Sequence, residues 1–105
     1  MSISHLSDAN FNDFVRRSGL SVVDFWASWC GPCVAFAPAF ESAATKIEGV
    51  EFGKYEITDT NKTAASEHGV RSIPTVVAFK NGAAVAVKTG LMSEEALIEW
   101  IKELA

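Results

Sequence analysis

The sequence predicts an α/β fold in which a central mixed sheet of about five strands carries helices on both faces. Helical and strand-like segments alternate over most of the chain. Residues 20–26 form a run that is apolar on both strand faces, which is typical of a central strand covered on two sides. Near the end, TVVAFKNGAAVAVK (residues 75–88) places two β-rich runs around Asn81-Gly82, a strong hairpin signal. The predicted order is βαβαβα followed by ββα, which combines parallel crossovers with an antiparallel hairpin.

The first and last helices have recognisable start signals. The first strand is expected near His5, and Ser7 or Asp8 is expected to cap the helix that follows it. That helix carries Phe and Val residues at helical spacing, and Gly19 follows its end. Ser93 is expected to cap the last helix, which has two glutamates in its first turn, where the helix dipole favours negative charge.

The middle elements are predicted from proline, glycine and apolar spacing. A second helix is expected to begin near Pro32, a favourable first-turn residue, and to end before Gly49. Pro38 should kink this helix, because proline cannot donate the helical hydrogen bond. Residues 50–57 are predicted to form a strand parallel to residues 20–26, and residues 59–68 a short helix. The apolar stripe of the second helix consists of Phe36, Phe40, Ala43, Ala44 and Ile47.

Length and charge limit the classes of function. With 105 residues, the chain is expected to form one domain over residues 1–105. The net charge of −4 argues against nucleic acid as a partner, since phosphates require a basic face. No apolar run approaches the roughly 20 residues that span a bilayer, and MSISHLSDANF lacks the pattern of a signal peptide. We therefore expect a cytoplasmic protein with no membrane partner.

The chain's two cysteines, Cys30 and Cys33, flank Gly31-Pro32 at the predicted strand-to-helix turn. A three-residue separation at a helix start places both sulfurs on one side, within reach of a disulfide. Unpaired backbone amides and the positive end of the helix dipole stabilise a thiolate, the species that attacks disulfides. We expect Cys30, which precedes the helix, to be the accessible attacking thiolate. Cys33 is then placed to resolve the mixed disulfide.

Two other interpretations of the cysteine pair are weaker. A structural zinc site requires four ligands, and the remaining candidates, His5 and His68, show no ligand spacing. An inert buried pair is disfavoured because Gly-Pro separates the cysteines at a helix start. No metal site is therefore expected.

Asp24 interrupts the apolar run VVDFW, and on a strand it shares one face with Val22 and Trp26. Burial among apolar neighbours should raise the pKa of this carboxyl toward neutrality, which suits a base for the resolving thiol. The alternative is that Asp24 lies at an open end of the sheet and is solvated. Lys54 also stands among apolar strand residues. It either extends to solvent or compensates the buried charge of Asp24.

Several motifs together resemble the thioredoxin family. They are VDFWASWCGPC (residues 23–33), Ala37-Pro38 with Glu41, RSIPT (71–75), FKNG (79–82) and Gly90, and their intervals match over nearly the whole chain. The resemblance implies the thioredoxin fold, protein-disulfide reductase activity and a redox-active disulfide between Cys30 and Cys33. It also implies disulfide-containing target proteins, a monomeric state and no bound cofactor, with electrons supplied from NADPH through a thioredoxin reductase.

The resemblance further assigns roles around the cysteines. Pro74 would be a cis-proline facing them, and the backbone of Ile73 would pair with an extended substrate segment. Asp24 and Lys54 match the family's buried acid and its lysine neighbour. The apolar patch where targets dock would consist of Trp29, Gly31, Pro32, Ile73, Pro74 and Gly90.

The chain departs from the family pattern at two positions, and two other functions stay open. Val34 stands where lysine or arginine is usual, and Ser28 where an acidic residue or proline is common. A thiol oxidase or isomerase on the same fold is one alternative, although oxidising relatives tend to carry histidine between the cysteines. A redox-independent binding subunit, which would use only the apolar patch, is the other.

Overall fold

The computed structural model describes residues 3–105, and it contains five strands and four helices in the predicted order. Met1 and Ser2, which begin the segment considered for a signal peptide, lie outside the described residues. The strands are β1 (Ser4–Leu6), β2 (Ser21–Trp26), β3 (Glu51–Glu56), β4 (Thr75–Lys80) and β5 (Ala83–Thr89). The helices are α1 (Phe11–Val15), α2 (Gly31–Lys46), α3 (Thr63–Glu67) and α4 (Glu94–Leu104).

The strands form one mixed sheet in the order β1-β3-β2-β4-β5. The strands β1, β3 and β2 are parallel, whereas β4 is antiparallel to both β2 and β5. The predicted α/β fold with helices on both faces is confirmed. In this order β2, which leads directly to the cysteines, lies at the centre of the sheet, as its apolar faces predicted.

The two faces of the sheet bury separate apolar clusters, because side chains alternate along each strand. On one face α2 and α4 cover Val22 of β2, and on the other α1 and α3 cover Val23 and Phe25. Asp24 therefore points to the same face as Val22, toward the layer that contains α2. The predicted stripe of α2 is buried in the first cluster: Phe36, Phe40, Ala43, Ala44 and Ile47.

Three local predictions are confirmed. The Ser93 hydroxyl accepts a hydrogen bond from the Ala96 amide at 3.1 Å and so caps α4. Asn81 and Gly82 join β4 to β5 with φ values of 54° and 82°, as a tight hairpin turn requires. The helix α2 begins at Gly31 and continues through Pro38 to Lys46.

The predicted cap of α1 is wrong. Asn10 is the N-cap residue of α1, and its side chain forms no capping hydrogen bond with the helix. The carboxylate of Asp8 instead accepts hydrogen bonds from the backbone amides of Thr63 (3.1 Å) and Ala64 (2.9 Å), at the start of α3. The first amides of a helix have no partner within it, and the Phe11 amide of α1 already donates to the Ser7 carbonyl oxygen at 2.9 Å, which leaves the Asp8 carboxylate for α3.

The helix α3 is shorter than predicted. It spans Thr63–Glu67 rather than residues 59–68, because Thr58 and Asn61 first form an isolated antiparallel bridge. The Asn61 side chain also donates to the Glu56 carbonyl oxygen at 2.9 Å, which holds the chain out of a helix at this point.

Candidate active site

Cys30 and Cys33 lie where β2 passes into α2. Cys30 is the N-cap residue of α2, and Cys33 lies in the first turn of that helix. The two are joined by a disulfide with a Cα–Cα separation of 5.3 Å. The backbone amide of Cys33 donates to Cys30 Sγ at 3.2 Å. An unpaired helical amide is therefore directed at this sulfur, as predicted from the start of the helix.

The two cysteines differ in exposure in the expected direction, but the difference is small. Cys30 is 7% exposed and Cys33 is 1% exposed. Both pack in a small apolar cluster with Ala27, against which Ile73 also packs. Cys30 is thus the more accessible of the two cysteines, although both are buried.

The Ile73–Pro74 peptide bond is cis, which confirms the expectation drawn from the resemblance. The carbonyl oxygen of Ile73 lies 3.8 Å from Cys30 Sγ. A disulfide sulfur has no hydrogen to donate, so this is a contact in the oxidised protein. The Gly90 amide donates to the Pro74 carbonyl oxygen at 2.8 Å, with Gly90 at a φ of 99° that favours glycine. This hydrogen bond joins Gly90 to the segment beside Cys30.

The surface around the disulfide is apolar but only part of the predicted patch is exposed. Trp29 is 77% exposed, and Gly31 and Pro32 are exposed beside it. Ile73 and Gly90 are half-buried, whereas Pro74 is buried and contributes mainly through its cis bond.

Two further apolar side chains extend this exposed surface. Val34, which replaces the family's usual basic residue, is 55% exposed, and Leu91 is 60% exposed. Leu91 was not predicted to belong to this surface, although it directly follows Gly90 of the predicted patch.

Asp24 is buried without a hydrogen-bond partner. It is 1% exposed, and neither carboxylate oxygen has a partner among residues 3–105. Its register neighbours are Lys54 on β3 and Val76 on β4. Burial raises the pKa of Asp24 to about 7, and the positive charge of Lys54 opposes this rise. The solvated alternative for Asp24 is therefore wrong, and the predicted desolvation is confirmed.

Lys54 does not form a direct pair with Asp24. Its side chain is only 8% exposed, and its Nζ lies 3.4 Å from Oε2 of Glu41 on α2. The same ammonium group lies 4.8 Å from the ring centroid of Trp26, a cation–π distance. Lys54 therefore neither extends freely to solvent nor hydrogen-bonds to the buried acid. The ion pair between Lys54 and Glu41 was not predicted, since Glu41 was named only as part of the resemblance.

The histidines and cysteines form no candidate metal site in the described part of the chain. No group of three or more His, Cys, Asp or Glu residues suited to a metal ion occurs within residues 3–105. His5 is exposed on β1, while the ring of His68 packs against Phe11 and Phe79 on the opposite face from Asp24. None of the helices in the described part of the chain is long and apolar enough to cross a membrane.

A family model named Thioredoxin matches residues 2–103. A protein named Thioredoxin from Rhodospirillum rubrum is 42% identical over 102 residues, covering 95% of this chain and 97% of the relative. The chain belongs to the thioredoxin family. Another protein of that name, from Rickettsia bellii, is 44% identical over 100 residues, covering 93% of this chain and 94% of the relative.

Solved structures show the same architecture. Thioredoxin f2 of Chlamydomonas reinhardtii is similar with a TM-score of 0.90 and 27% identity, covering 98% of this chain and 96% of the other. The thioredoxin of Malassezia sympodialis (Mala s 13) is similar with a TM-score of 0.85 and 32% identity, covering 97% and 90%.

Family membership and the Cys30–Cys33 disulfide identify the protein as a thiol–disulfide oxidoreductase of the protein-disulfide reductase type. Proteins of this family carry no bound cofactor and act on disulfide-containing proteins.

Proposed function

We propose that Cys30 is the attacking thiolate, Cys33 the resolving thiol and Asp24 the proton acceptor in reduction of target disulfides. The observation that carries this proposal is the Cys33 amide at 3.2 Å from Cys30 Sγ, at the N-terminus of α2. A hydrogen bond to the sulfur and the helix dipole both favour the thiolate of Cys30.

The reaction proceeds in two exchanges. The Cys30 thiolate attacks one sulfur of the target disulfide, which forms a mixed disulfide and releases one target thiolate. The Cys33 thiol then transfers its proton to the Asp24 carboxylate, directly or through water. The Cys33 thiolate attacks Cys30 Sγ, which releases the second target thiolate and closes the Cys30–Cys33 disulfide. Two electrons have passed to the target.

Asp24 suits the proton transfer because its pKa of about 7 leaves both forms populated at neutral pH. A normal aspartate would be almost fully ionised at this pH and a much weaker base. The absence of hydrogen-bond partners for its oxygens within residues 3–105 also leaves them free to receive a proton.

Targets are proposed to dock on the apolar surface around Cys30, with an extended target segment pairing with the backbone of Ile73. Exposed Trp29 and Val34 support an apolar contact rather than an electrostatic one at this position. The residues proposed for this surface are those named by the resemblance, Trp29, Gly31, Pro32, Ile73, Pro74 and Gly90, of which Trp29, Gly31 and Pro32 are exposed and Pro74 is buried.

We further propose features that family membership and composition support but that rest on the resemblance. The oxidised protein is recycled by a thioredoxin reductase with electrons from NADPH. The chain acts as a cytoplasmic monomer with one domain over residues 1–105. Its net charge of −4 supports the absence of nucleic acid partners.

The test is reduction of a disulfide protein such as insulin by Cys30→Ser and Cys33→Ser variants. Both should lose turnover, but Cys33→Ser should accumulate a mixed disulfide with the target and Cys30→Ser should not. Accumulation in Cys30→Ser instead would reverse the two roles. If a variant with both cysteines replaced by serine kept its function with a partner protein, the redox-independent binding subunit would be favoured.

A second measurement separates the reductase from an oxidase or isomerase. Thioredoxin has a reduction potential of about −270 mV and the oxidase DsbA about −120 mV. We expect the Cys30–Cys33 couple to lie near the lower value in dithiol buffers.

A further inference from the structure

Lys54 lies between two carboxylates but contacts only one of them. Asp24 is its register neighbour on the adjacent strand β2, and Glu41 approaches from α2. The Lys54 Nζ is 3.4 Å from Glu41 Oε2, whereas both oxygens of Asp24 lack a partner among residues 3–105. The ring of Trp26 supports the ammonium group in this orientation at 4.8 Å.

We propose that Glu41 is a positioning residue for the proton-transfer site: its carboxylate holds the Lys54 ammonium group out of hydrogen-bond contact with Asp24. This inference rests on the proposed role of Asp24 as proton acceptor. An ammonium group hydrogen-bonded to Asp24 would favour its ionised form and make it a weaker base for Cys33. The charge of Lys54 therefore opposes the rise in the Asp24 pKa from a distance, without a hydrogen bond to the carboxylate.

Other groups near Lys54 do not supply the same contact. His5 is its register neighbour on β1, and Glu56 lies two residues along β3 on the same face. Within the described residues, only Glu41 forms an ion pair with Lys54. On β4 the register neighbour of Asp24 is the apolar Val76, and the helix α2 contributes the disulfide-bonded Cys33 to this layer.

Glu41 can be changed without disturbing the core. It is 58% exposed, so its substitution leaves no buried group at its own position. When the charge of Glu41 is removed, Lys54 loses the ion pair that it forms within the described residues and can turn toward Asp24. Removing a negative charge near Asp24 also acts in the same direction, so the experiment must separate the two effects.

The experiment follows the ¹³C chemical shift of the Asp24 carboxyl against pH in the oxidised protein, where the disulfide-bonded cysteines do not titrate. Loss of the signal in Asp24→Asn assigns it. We expect Glu41→Gln to lower the titration midpoint by about 1 pH unit, the lower end for an opposite charge brought within hydrogen-bond reach. Glu41→Asp, which keeps the charge, should recover part of this shift.

A control variant and a second background show whether Glu41 changes the Asp24 midpoint through Lys54. Glu48→Gln, an exposed carboxylate just beyond α2, removes the same charge and should leave the midpoint unchanged. In a Lys54→Met background, Glu41→Gln should shift the midpoint much less, because the group it positions is gone and only the direct effect of its own charge is left. An equal shift on Glu41→Gln in the wild type and in Lys54→Met would show that Glu41 acts only by its own charge and would overturn the proposal.

A crystal structure of Glu41→Gln provides a second readout that does not depend on the Lys54 variant. Lys54 Nζ within hydrogen-bond distance of Asp24 supports the proposal, and Nζ remaining over Trp26 overturns it.

Activity distinguishes this failure from failure of the proposed function. If Glu41→Gln has no effect on the midpoint but Asp24→Asn changes the pH profile of target reduction, Glu41 is excluded and Asp24 stands. If Asp24→Asn leaves the pH profile of kcat unchanged, the role of Asp24 itself is wrong.

Discussion

Asp24 and Asp8 are treated in opposite ways by the same fold. The Asp8 carboxylate accepts hydrogen bonds from the Tyr55 hydroxyl at 2.6 Å and from the amides of Thr63 and Ala64. The hydrogen bond from Tyr55, followed by those from backbone amides, holds the pKa of Asp8 below its usual range. Asp24 has no such donors among residues 3–105, and burial raises its pKa to about 7.

The comparison separates a structural acid from a chemical one. Donors that stabilise an ionised carboxylate keep it charged at every physiological pH, so Asp8 can join elements but cannot exchange a proton near neutrality. A carboxyl without donors destabilises the folded protein when it ionises, and this same property makes Asp24 a base near neutral pH. The burial of Asp24 therefore lowers the stability of the folded protein when the carboxyl ionises, and the same burial gives it the pKa that proton transfer near neutral pH requires.

The largest expected effect is a stabilisation by Asp24→Asn. The folded-state pKa is about 7 and the ordinary pKa of an aspartate is 3.8, so between these pH values the folded protein binds the proton and the unfolded chain does not. Stability therefore falls as pH rises through this window. The difference of about three units corresponds to roughly 4 kcal/mol above pH 7, at 1.36 kcal/mol per unit.

We therefore expect oxidised Asp24→Asn to exceed the wild type in free energy of unfolding by about 3 kcal/mol at pH 8, since the amide is still desolvated. Near pH 4 the two should be similar. Urea denaturation at pH 4, 6 and 8 measures this, and a variant less stable than wild type at pH 8 would remove the contrast with Asp8.

Asp8→Ala should have the opposite sign. It removes the acceptor for the Tyr55 hydroxyl and the cap of α3, and we expect a loss of about 1–3 kcal/mol at pH 7. Because the pKa of Asp8 is lowered, its contribution is present above the unfolded pKa and is lost as pH falls through the folded one. The difference from wild type should therefore shrink in acid. Hydrogen exchange at Thr63 and Ala64 should increase in the variant, and unchanged protection would contradict the cap.

Tyr55→Phe should have the smallest effect, a loss of about 1 kcal/mol. The ring of Tyr55 is fully buried and is retained by Phe, while Asp8 keeps its two amide donors and access to water. Only Asp8→Ala leaves a buried hydroxyl without its acceptor. Thermal unfolding of both variants tests this order, and equal losses would indicate that the hydroxyl carries the whole effect of Asp8.

Sequence alone predicted the elements whose signals are local. The cysteines at the start of α2, the Asn81-Gly82 turn and the Ser93 cap depend on neighbours a few residues away. The burial of Asp24 was predicted because the apolar run around it is itself a sequence feature.

What the sequence did not reveal are pairs formed between distant segments. Ser7 or Asp8 was predicted to cap the nearer helix α1, but Asp8 caps α3, more than fifty residues away in the chain. The partner of Lys54 depends on which turn of α2 lies over β3, and strand alternation cannot determine that. Choices between competing donors and acceptors are decided by tertiary packing.

The most direct test of the link between the buried acid and the cysteines is the pH dependence of mixed-disulfide resolution. The rate at which Cys33 releases a target bound to Cys30 is measured by stopped flow in wild type and Asp24→Asn. We expect a wild-type rate that rises with a midpoint near pH 7, matching the pKa of Asp24, and a slower rate without that midpoint in the variant. An identical midpoint in both proteins would show that Asp24 is not the proton acceptor.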